Sequence, residues 1–181
     1  MSMLVDIPRV EMEPSPWVRR FANLIPENGV VLDLACGAGR HARYLLLLGF
    51  RVLLLDRNIT AVADLAADEN VELIACDLED GRPWPLGERT FDGVLVTNYL
   101  YRPFMKSIVS AVAPGGVLIY ETFANGNQAF GRPRNPDFLL EREELLHFAR
   151  PQLQVVAFED IVFGAPKPAA IQHIAAVRER G

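Results

Sequence analysis

Short runs of consecutive apolar residues alternate along this chain with segments whose apolar positions recur at helical spacing. That alternation, through residue 122, predicts a parallel sheet buried on both faces by helices. Val30-Val31-Leu32-Asp33-Leu34 reads as the first buried strand. Gly37 and Gly39 read as a sharp turn behind it, and from Arg40 the pattern turns helical, with Ala42, Leu45, Leu46 and Leu48 as packing positions and Gly49 as the closing residue. A strand, a glycine turn and a helix start point backbone N–H groups at whatever sits over the turn.

The same reading extends in both directions. Residues 1–15 are punctuated by proline and predict an irregular segment; Pro16 opens a short helix running to Leu24, with Trp17, Phe21 and Leu24 on one face. Arg51 to Leu55 is a second strand ending at Asp56, Thr60 caps a helix carrying Ala61, Val62, Leu65 and Ala66, and Val71 to Cys76 is a third strand ending at Asp77. A loop holding Trp84 leads to a fourth strand, Phe91 to Thr97. After the loop Asn98–Pro103 comes a helix with Phe104, Ile108 and Val112 at helical spacing. Pro114-Gly115-Gly116 turns into a fifth strand, Val117 to Thr122. Residues 123–138, rich in Asn, Gly, Pro and Phe, read as a long loop of the kind that covers binding sites. A short helix, Glu141 to Phe148, precedes two closing strands, Leu153–Phe163 and Ala170–Arg178, joined through Gly164–Pro168 and forming an antiparallel edge.

The 181 residues predict a single domain spanning 1–181. A formal net charge of -5 argues against a nucleic-acid partner held by phosphate contacts. The two cysteines, Cys36 and Cys76, fall at apparent strand ends and read as reduced thiols of a cytoplasmic protein, with no disulfide or metal site in their pattern. No basic stretch followed by an apolar core marks the N-terminus as a leader, and Leu45–Leu48 is far too short to span a bilayer.

In such a sheet ligands lie beyond the C-terminal ends of the strands, beside the first one. Asp33 with the Gly37/Gly39 turn, Asp56, Asp77 and Asn98–Tyr101 fall there. Asp56 stands at the spacing of a ribose-binding acid, and Asp77 suits an adenine amino group, with Leu78 packing on the ring. Gly37, Gly39 and Ala42 fit the G-x-G-x-x-A dinucleotide pattern, which would make the chain an NAD(P)-dependent oxidoreductase. Against that, Asp33 precedes the glycines, where it would repel a pyrophosphate and suit a donor with an ammonium group and no phosphate.

Asp33-Leu34-Ala35-Cys36-Gly37-Ala38-Gly39 resembles the first motif of the class I S-adenosylmethionine-dependent methyltransferases. Asp56, Asp77-Leu78 and Pro114-Gly115-Gly116 resemble, in order, that family's ribose acid, adenine contact and turn before strand five. The resemblance covers residues 16–178 and implies a Rossmann-like α/β sheet of seven strands in the order 3-2-1-4-5-7-6, strand seven antiparallel, with helices on both faces. It implies S-adenosylmethionine as donor, leaving as S-adenosylhomocysteine, held by Asp33, Ala35, Gly37, Gly39, Asp56, Arg57, Asp77, Leu78 and Asn98. The compact chain, and Glu121-Thr122-Phe123 with the loop behind it, look more like small-molecule, tellurite-resistance-like members.

The acceptor would be a small molecule placed against Tyr101, Phe123, Phe130 and Arg132, with Arg134 and Phe138 in the same covering loop. Asn98-Tyr99-Leu100-Tyr101 shares its Asn and a Tyr with the Asn-Pro-Pro-Tyr motif of amino-group methyltransferases but lacks both prolines, and reads as an aromatic wall. Methyl transfer is an in-line displacement from an already activated donor, so the protein mainly aligns the partners. If the acceptor must lose a proton, Tyr99 and Glu121 are the candidate bases. His41 reads as a helix-start side chain, and His147 and His173 carry no assigned role. A monomer or homodimer with no membrane or nucleic-acid partner is expected. The rival to catalysis is a non-catalytic nucleoside-binding or partner subunit of the same fold.

Overall fold

The computed structural model describes residues 12–164 and 166–181. The predicted irregular segment 1–15 therefore lies mostly outside the described residues, as does Ala165 in the link between the closing strands.

The chain enters through α1 (Pro16–Phe21), where the Ser15 hydroxyl accepts the Trp17 N–H at 3.1 Å and Pro16 takes a first-turn position that needs no N–H. A 3₁₀ turn, Ala22–Leu24, completes the predicted helix. The strands β1 (Val30–Leu34), β2 (Arg51–Asp56), β3 (Val71–Ala75) and β4 (Phe91–Thr97) then run parallel. They alternate with α2 (Arg40–Leu47) and a 3₁₀ segment, Thr60–Ala67. After α3 (Met105–Ser110) come β5 (Val112–Phe123), α4 (Glu144–Ala149), β6 (Gln154–Phe163) and β7 (Ala169–Val177). The sheet order is β3-β2-β1-β4-β5-β7-β6, with β7 antiparallel to both its neighbours, as the resemblance implied.

Burial on both faces explains why β2 reads as an unbroken apolar run: Val52 to Leu55 are all buried. Leu32, Leu34, Val94, Val96, Leu118 and Tyr120 pack against α3 and α4 on one face. Val31, Leu54, Leu95, Val117 and Ile119 pack with α1 and α2 on the other. At the end of α2 the Phe50 N–H reaches the Leu45 carbonyl at 3.1 Å and the Gly49 N–H reaches Leu46 at 3.0 Å, with Phe50 and Leu45 buried together, so Gly49 ends the helix as predicted.

Several local expectations are corrected. Thr60 does not cap a helix: the segment is 3₁₀, its Thr60 N–H is taken by the Asn58 side chain at 3.0 Å, and only Val62 of the apolar set is buried. Leu48 is half exposed and Leu46 only partly buried, because the packing stripe of α2 is spent on His41, Ala42 and Leu45. Val112 opens β5 instead of closing α3. Two steps along β4, from Phe91 to Gly93, face five along β5, from Val112 to Val117, so the Pro114–Gly116 turn loops out within one strand. Cys36 and Cys76 sit just past the ends of β1 and β3. Both are free thiols.

Candidate active site

The C-terminal ends of β1, β2, β3 and β4 converge on a cavity of about 490 Å³. It is lined by Ala35, Asp56, Arg57, Cys76, Asp77, Leu78, Glu79, Tyr99 and Phe138. Behind β1 the backbone takes a left-handed conformation at Ala35 (φ 56°), Gly37 (φ 55°) and Gly39 (φ 72°). Ala35 bears a Cβ in a region that ordinarily costs about 1–2 kcal/mol, and such strain gathers at ligand sites. A Cβ on Gly37 would meet nothing within 4 Å, so the turn presents open backbone there, whereas one on Gly39 would lie 2.6 Å from Val62 Cγ1.

Asp56 closes β2. Its Oδ2 accepts the Gly37 N–H and its Oδ1 the Asn58 N–H, both at 2.9 Å. A carboxylate offers about four acceptor positions, so two ribose hydroxyls are still within its capacity. Asp77 accepts the Glu79 N–H at 2.9 Å through Oδ1, which braces the loop after β3 and leaves Oδ2 to accept from an amino group. Leu78 is 6% exposed and presents an apolar edge beside these two acids.

Asp33 is 1% exposed, and its Oδ2 has no hydrogen-bond partner among the described residues. Burial pushes its carboxyl up to about 7, Asp56 adding to the rise while the Ala42 N–H and the Arg40 guanidinium hold it back. Such a group is half ionised at neutral pH and gains most from a cation placed nearby. His41, in the first turn of α2, is buried too. Its Nε2 accepts the Ser15 N–H at 3.2 Å, and burial with Arg40 brings its pKa down to about 3. The sequence reading of a helix-start side chain therefore missed a buried neutral imidazole that anchors the segment before α1.

At the end of β4, Asn98 is left-handed (φ 53°) and donates its N–H to the Glu121 carbonyl at 2.9 Å. Tyr99 lines the cavity with a buried hydroxyl that has no hydrogen-bond partner among the described residues. Burial, with the Glu79 carboxylate next to it, raises this phenol above its ordinary range, so it is a neutral donor at neutral pH and a poor base. The buried Tyr120 hydroxyl donates to the Tyr99 carbonyl at 2.8 Å and fixes this loop from below.

Glu121 is not in the cavity. It is 8% exposed on the α1/α2 face, and it continues a row that crosses four strands: Thr97 on β4 faces Glu121 on β5, which faces His173 on β7, which faces Glu159 on β6. His173 Nε2 lies 3.8 Å from Glu121 and Nδ1 3.9 Å from Glu159, too far for hydrogen bonds, and the ring stacks edge-on to Trp17. Burial raises the Glu121 carboxyl, held back by the Ser15 hydroxyl and Arg40, and lowers the His173 imidazole.

The structure thus gathers Ala35, Asp56, Arg57, Asp77, Leu78 and Tyr99 in one cavity, with Gly37, Gly39 and Asn98 on the turns beside it and Asp33 in β1, ahead of the glycine turn. It does not bring the expected acceptor residues there. Tyr101 turns edge-on to Phe104 at a centroid distance of 5.2 Å, Phe123 is half buried at the end of β5, and Phe130 and Arg132 are exposed. Only Phe138, of the covering loop, lines the cavity, joined by Cys76 and Glu79, which flank the Asp77-Leu78 pair and which the sequence did not single out for the site. No cluster that could hold a metal ion, and no helix long and apolar enough to cross a membrane, occurs among the described residues.

Residues 31–116 match a sequence family described as a methyltransferase domain. A comparison with curated protein sequences found no match. Among solved structures, TehB from Haemophilus influenzae shares the fold with a TM-score of 0.68 and 21% identity. The overlap covers 91% of this chain but 61% of that one, so the chain spans less than two thirds of that relative. The 1,6-didemethyltoxoflavin-N1-methyltransferase of Burkholderia thailandensis, solved with 1,6-didemethyltoxoflavin and S-adenosylhomocysteine, gives a TM-score of 0.68 at 22% identity, over 92% of this chain and 77% of that one. A TehB-like S-adenosylmethionine-dependent methyltransferase from Corynebacterium glutamicum gives 0.63 at 18%, over 90% and 87%. The fold, the glycine turn and the matched segment are similar to those of the class I S-adenosylmethionine-dependent methyltransferases. In fold the chain is similar to TehB and to the TehB-like protein.

Proposed function

We propose that this protein transfers a methyl group from S-adenosylmethionine to a small-molecule acceptor, acting mainly by holding donor and acceptor in line. The observation that carries the reading is the cavity itself, where Asp56 and Asp77 stand at neighbouring strand ends beside the open Gly37 turn. Asp56 accepts from the ribose hydroxyls, Asp77 from the adenine amino group, and Leu78 and Phe138 pack on the base, with Ala35 and Arg57 completing the walls. Asp33 supplies negative charge under the turn for the ammonium of the donor, and Gly37, Gly39 and Asn98 keep backbone close to it. When bound, S-adenosylmethionine supplies a methyl group already activated on a sulfonium. Alignment of this kind is worth about 7–11 kcal/mol.

The acceptor enters between the Asn98–Tyr101 loop and the covering loop that carries Phe123, Phe130 and Arg132. Tyr99, a neutral hydroxyl, orients it by donating a hydrogen bond, and Glu121 acts on the Asn98 loop through its backbone carbonyl rather than as a base. The B. thailandensis relative, whose name and bound ligand specify a small heterocycle, supports this substrate class. We read the chain as one cytoplasmic domain, monomeric or homodimeric, with no nucleic-acid partner.

Calorimetric titration with S-adenosylmethionine, S-adenosylhomocysteine and NAD(P)H in parallel tests the proposal. Micromolar binding of the first two alone supports it. Binding of NAD(P)H alone replaces it with the oxidoreductase reading.

A further inference from the structure

We infer that Arg102 is a positioning residue for the donor cavity: its guanidinium sets the strap 135–140 so that Phe138 forms a wall of that cavity. The inference rests on reading the cavity as the donor site. Arg102 stands three residues beyond Tyr99, at the start of the 3₁₀ turn Arg102–Phe104. Its Nη1 donates to the Asp137 carbonyl at 2.9 Å and its Nη2 to the Leu139 carbonyl at 2.8 Å, so the two carbonyls flanking Phe138 are both held. Nε and Nη2 also grip both oxygens of Glu144, at 2.7 and 2.9 Å, and Glu144 Oε2 accepts the Glu141 N–H at 2.7 Å.

The strap has little else to order it. Leu139 and Leu140 are buried, and Leu140 pairs with Phe123 and Asn125 backbone, but residues 135–138 are exposed. Their other hydrogen bonds are local: the Asn135 side chain accepts the Asp137 N–H, and the Asn135 and Pro136 carbonyls accept the Phe138 and Leu139 N–H, so among the described residues the hydrogen bond that ties 135–138 to another part of the fold is the one from Arg102 to Asp137. Exposed backbone with so little burial is ordered only by such bonds. The five N–H groups of a guanidinium form a fixed fork that satisfies a carboxylate on one edge and carbonyls on the other, which a lysine ammonium cannot reproduce. Phe138, separated in sequence from Tyr99 by the whole of α3 and β5, is thereby held among the residues that line the same cavity.

The test compares the full-length wild type with Arg102→Ala, Arg102→Lys, Phe138→Ala and the Arg102→Ala/Phe138→Ala double variant, titrated with S-adenosylhomocysteine and with adenosine. Hydrogen exchange of the 135–144 amides is followed in parallel. Arg102→Ala is expected to weaken both ligands about tenfold, because the strap is in place for a smaller fraction of the time. Phe138→Ala weakens them similarly, the double variant is no weaker than the worse single one, and strap amides exchange faster in Arg102→Ala while those of β1 and β4 do not. Arg102→Lys recovers only part of the affinity, and it carries the comparison should Arg102→Ala fail to fold. Wild-type affinity in Arg102→Ala, or losses that multiply in the double variant, overturn the inference alone. A wild type that binds neither ligand overturns the donor-site reading, and this inference with it.

Discussion

The carboxylate of Asp56 accepts the N–H of Gly37 at 2.9 Å, so the last residue of β2 holds the glycine turn that follows β1. One side chain thus shapes the turn and faces the cavity. Asp56→Ala removes the brace and the two remaining acceptor positions together. Donor affinity is expected to fall by about 1–2 kcal/mol or more, the scale of a lost charge-assisted hydrogen bond. Titration of the folded variant with S-adenosylhomocysteine checks this, and unchanged affinity removes Asp56 from the site.

Gly37 and Gly39 sit in the same turn for different reasons, and substitution separates them. At Gly39 an added Cβ meets Val62 Cγ1 at 2.6 Å, and Val62 is fully buried in the 3₁₀ segment behind it. Gly39→Ala therefore combines left-handed strain with overpacking, for a loss of about 2–4 kcal/mol of stability. Gly37→Ala meets no neighbouring atom, so only the strain remains, about 1–2 kcal/mol. Its methyl group, however, occupies the space in front of the turn. Urea unfolding paired with ligand titration should show Gly39→Ala losing stability first and Gly37→Ala losing affinity while folded. The opposite ranking would mean the turn does not face the ligand.

The end of β2 was legible in the sequence because a strand buried on both faces leaves little choice of residue: Val52 to Leu55 run apolar without a break and Asp56 is the first acid beyond them, whereas Asp77 follows the part-exposed edge strand β3, which carries Glu72 within it. Position along a strand follows from local pattern, so both acids and the turn fell where expected. What a loop side chain touches does not. Tyr101 and Phe138 look alike in sequence, yet Tyr101 packs on Phe104 and Phe138 reaches the cavity, where the carbonyls on either side of it are held by Arg102, a partner distant in sequence. Val112 carried helical spacing but entered β5, where pairing with Phe91 overrides the periodicity. His41 was illegible for the same reason, since its partner Ser15 comes from the segment before α1 and not from its own helix.

Asp33 makes donor binding dependent on pH. Its carboxyl is pushed up to about 7 by burial, far above an unfolded aspartate. The folded protein then binds the extra proton between about pH 4 and 7, so this group's contribution to stability is greatest at low pH and is lost as pH rises through 7. A ligand ammonium near the ionised form has the opposite sign, because it favours deprotonation. S-adenosylhomocysteine, which carries an ammonium, should bind about three- to tenfold more tightly at pH 8 than at pH 6, while adenosine, which lacks one, shows no such gain. Asp33→Asn should flatten the first profile onto the second. Equal pH dependence for the two ligands in the wild type would place the ammonium away from Asp33.

His41 imposes a dependence in the other direction. Its folded pKa is brought down to about 3 by burial and Arg40, while the unfolded side chain titrates near its ordinary 6.5. Between those values the unfolded state binds more protons, so the stability that neutral His41 gives is complete above pH 6.5 and drains away as pH falls toward 3. Protonation would also cost Nε2 its role as acceptor of the Ser15 N–H, releasing the residue that caps α1. His41→Gln retains an acceptor and cannot protonate. Its unfolding free energy should therefore fall less steeply than the wild type's between pH 6.5 and 4, by on the order of a few kcal/mol across the window. Paralleled urea titrations at several pH values measure that difference directly. Coincident slopes for the two proteins would mean that His41 titrates normally in the fold and that the segment before α1 is held by something other than its imidazole.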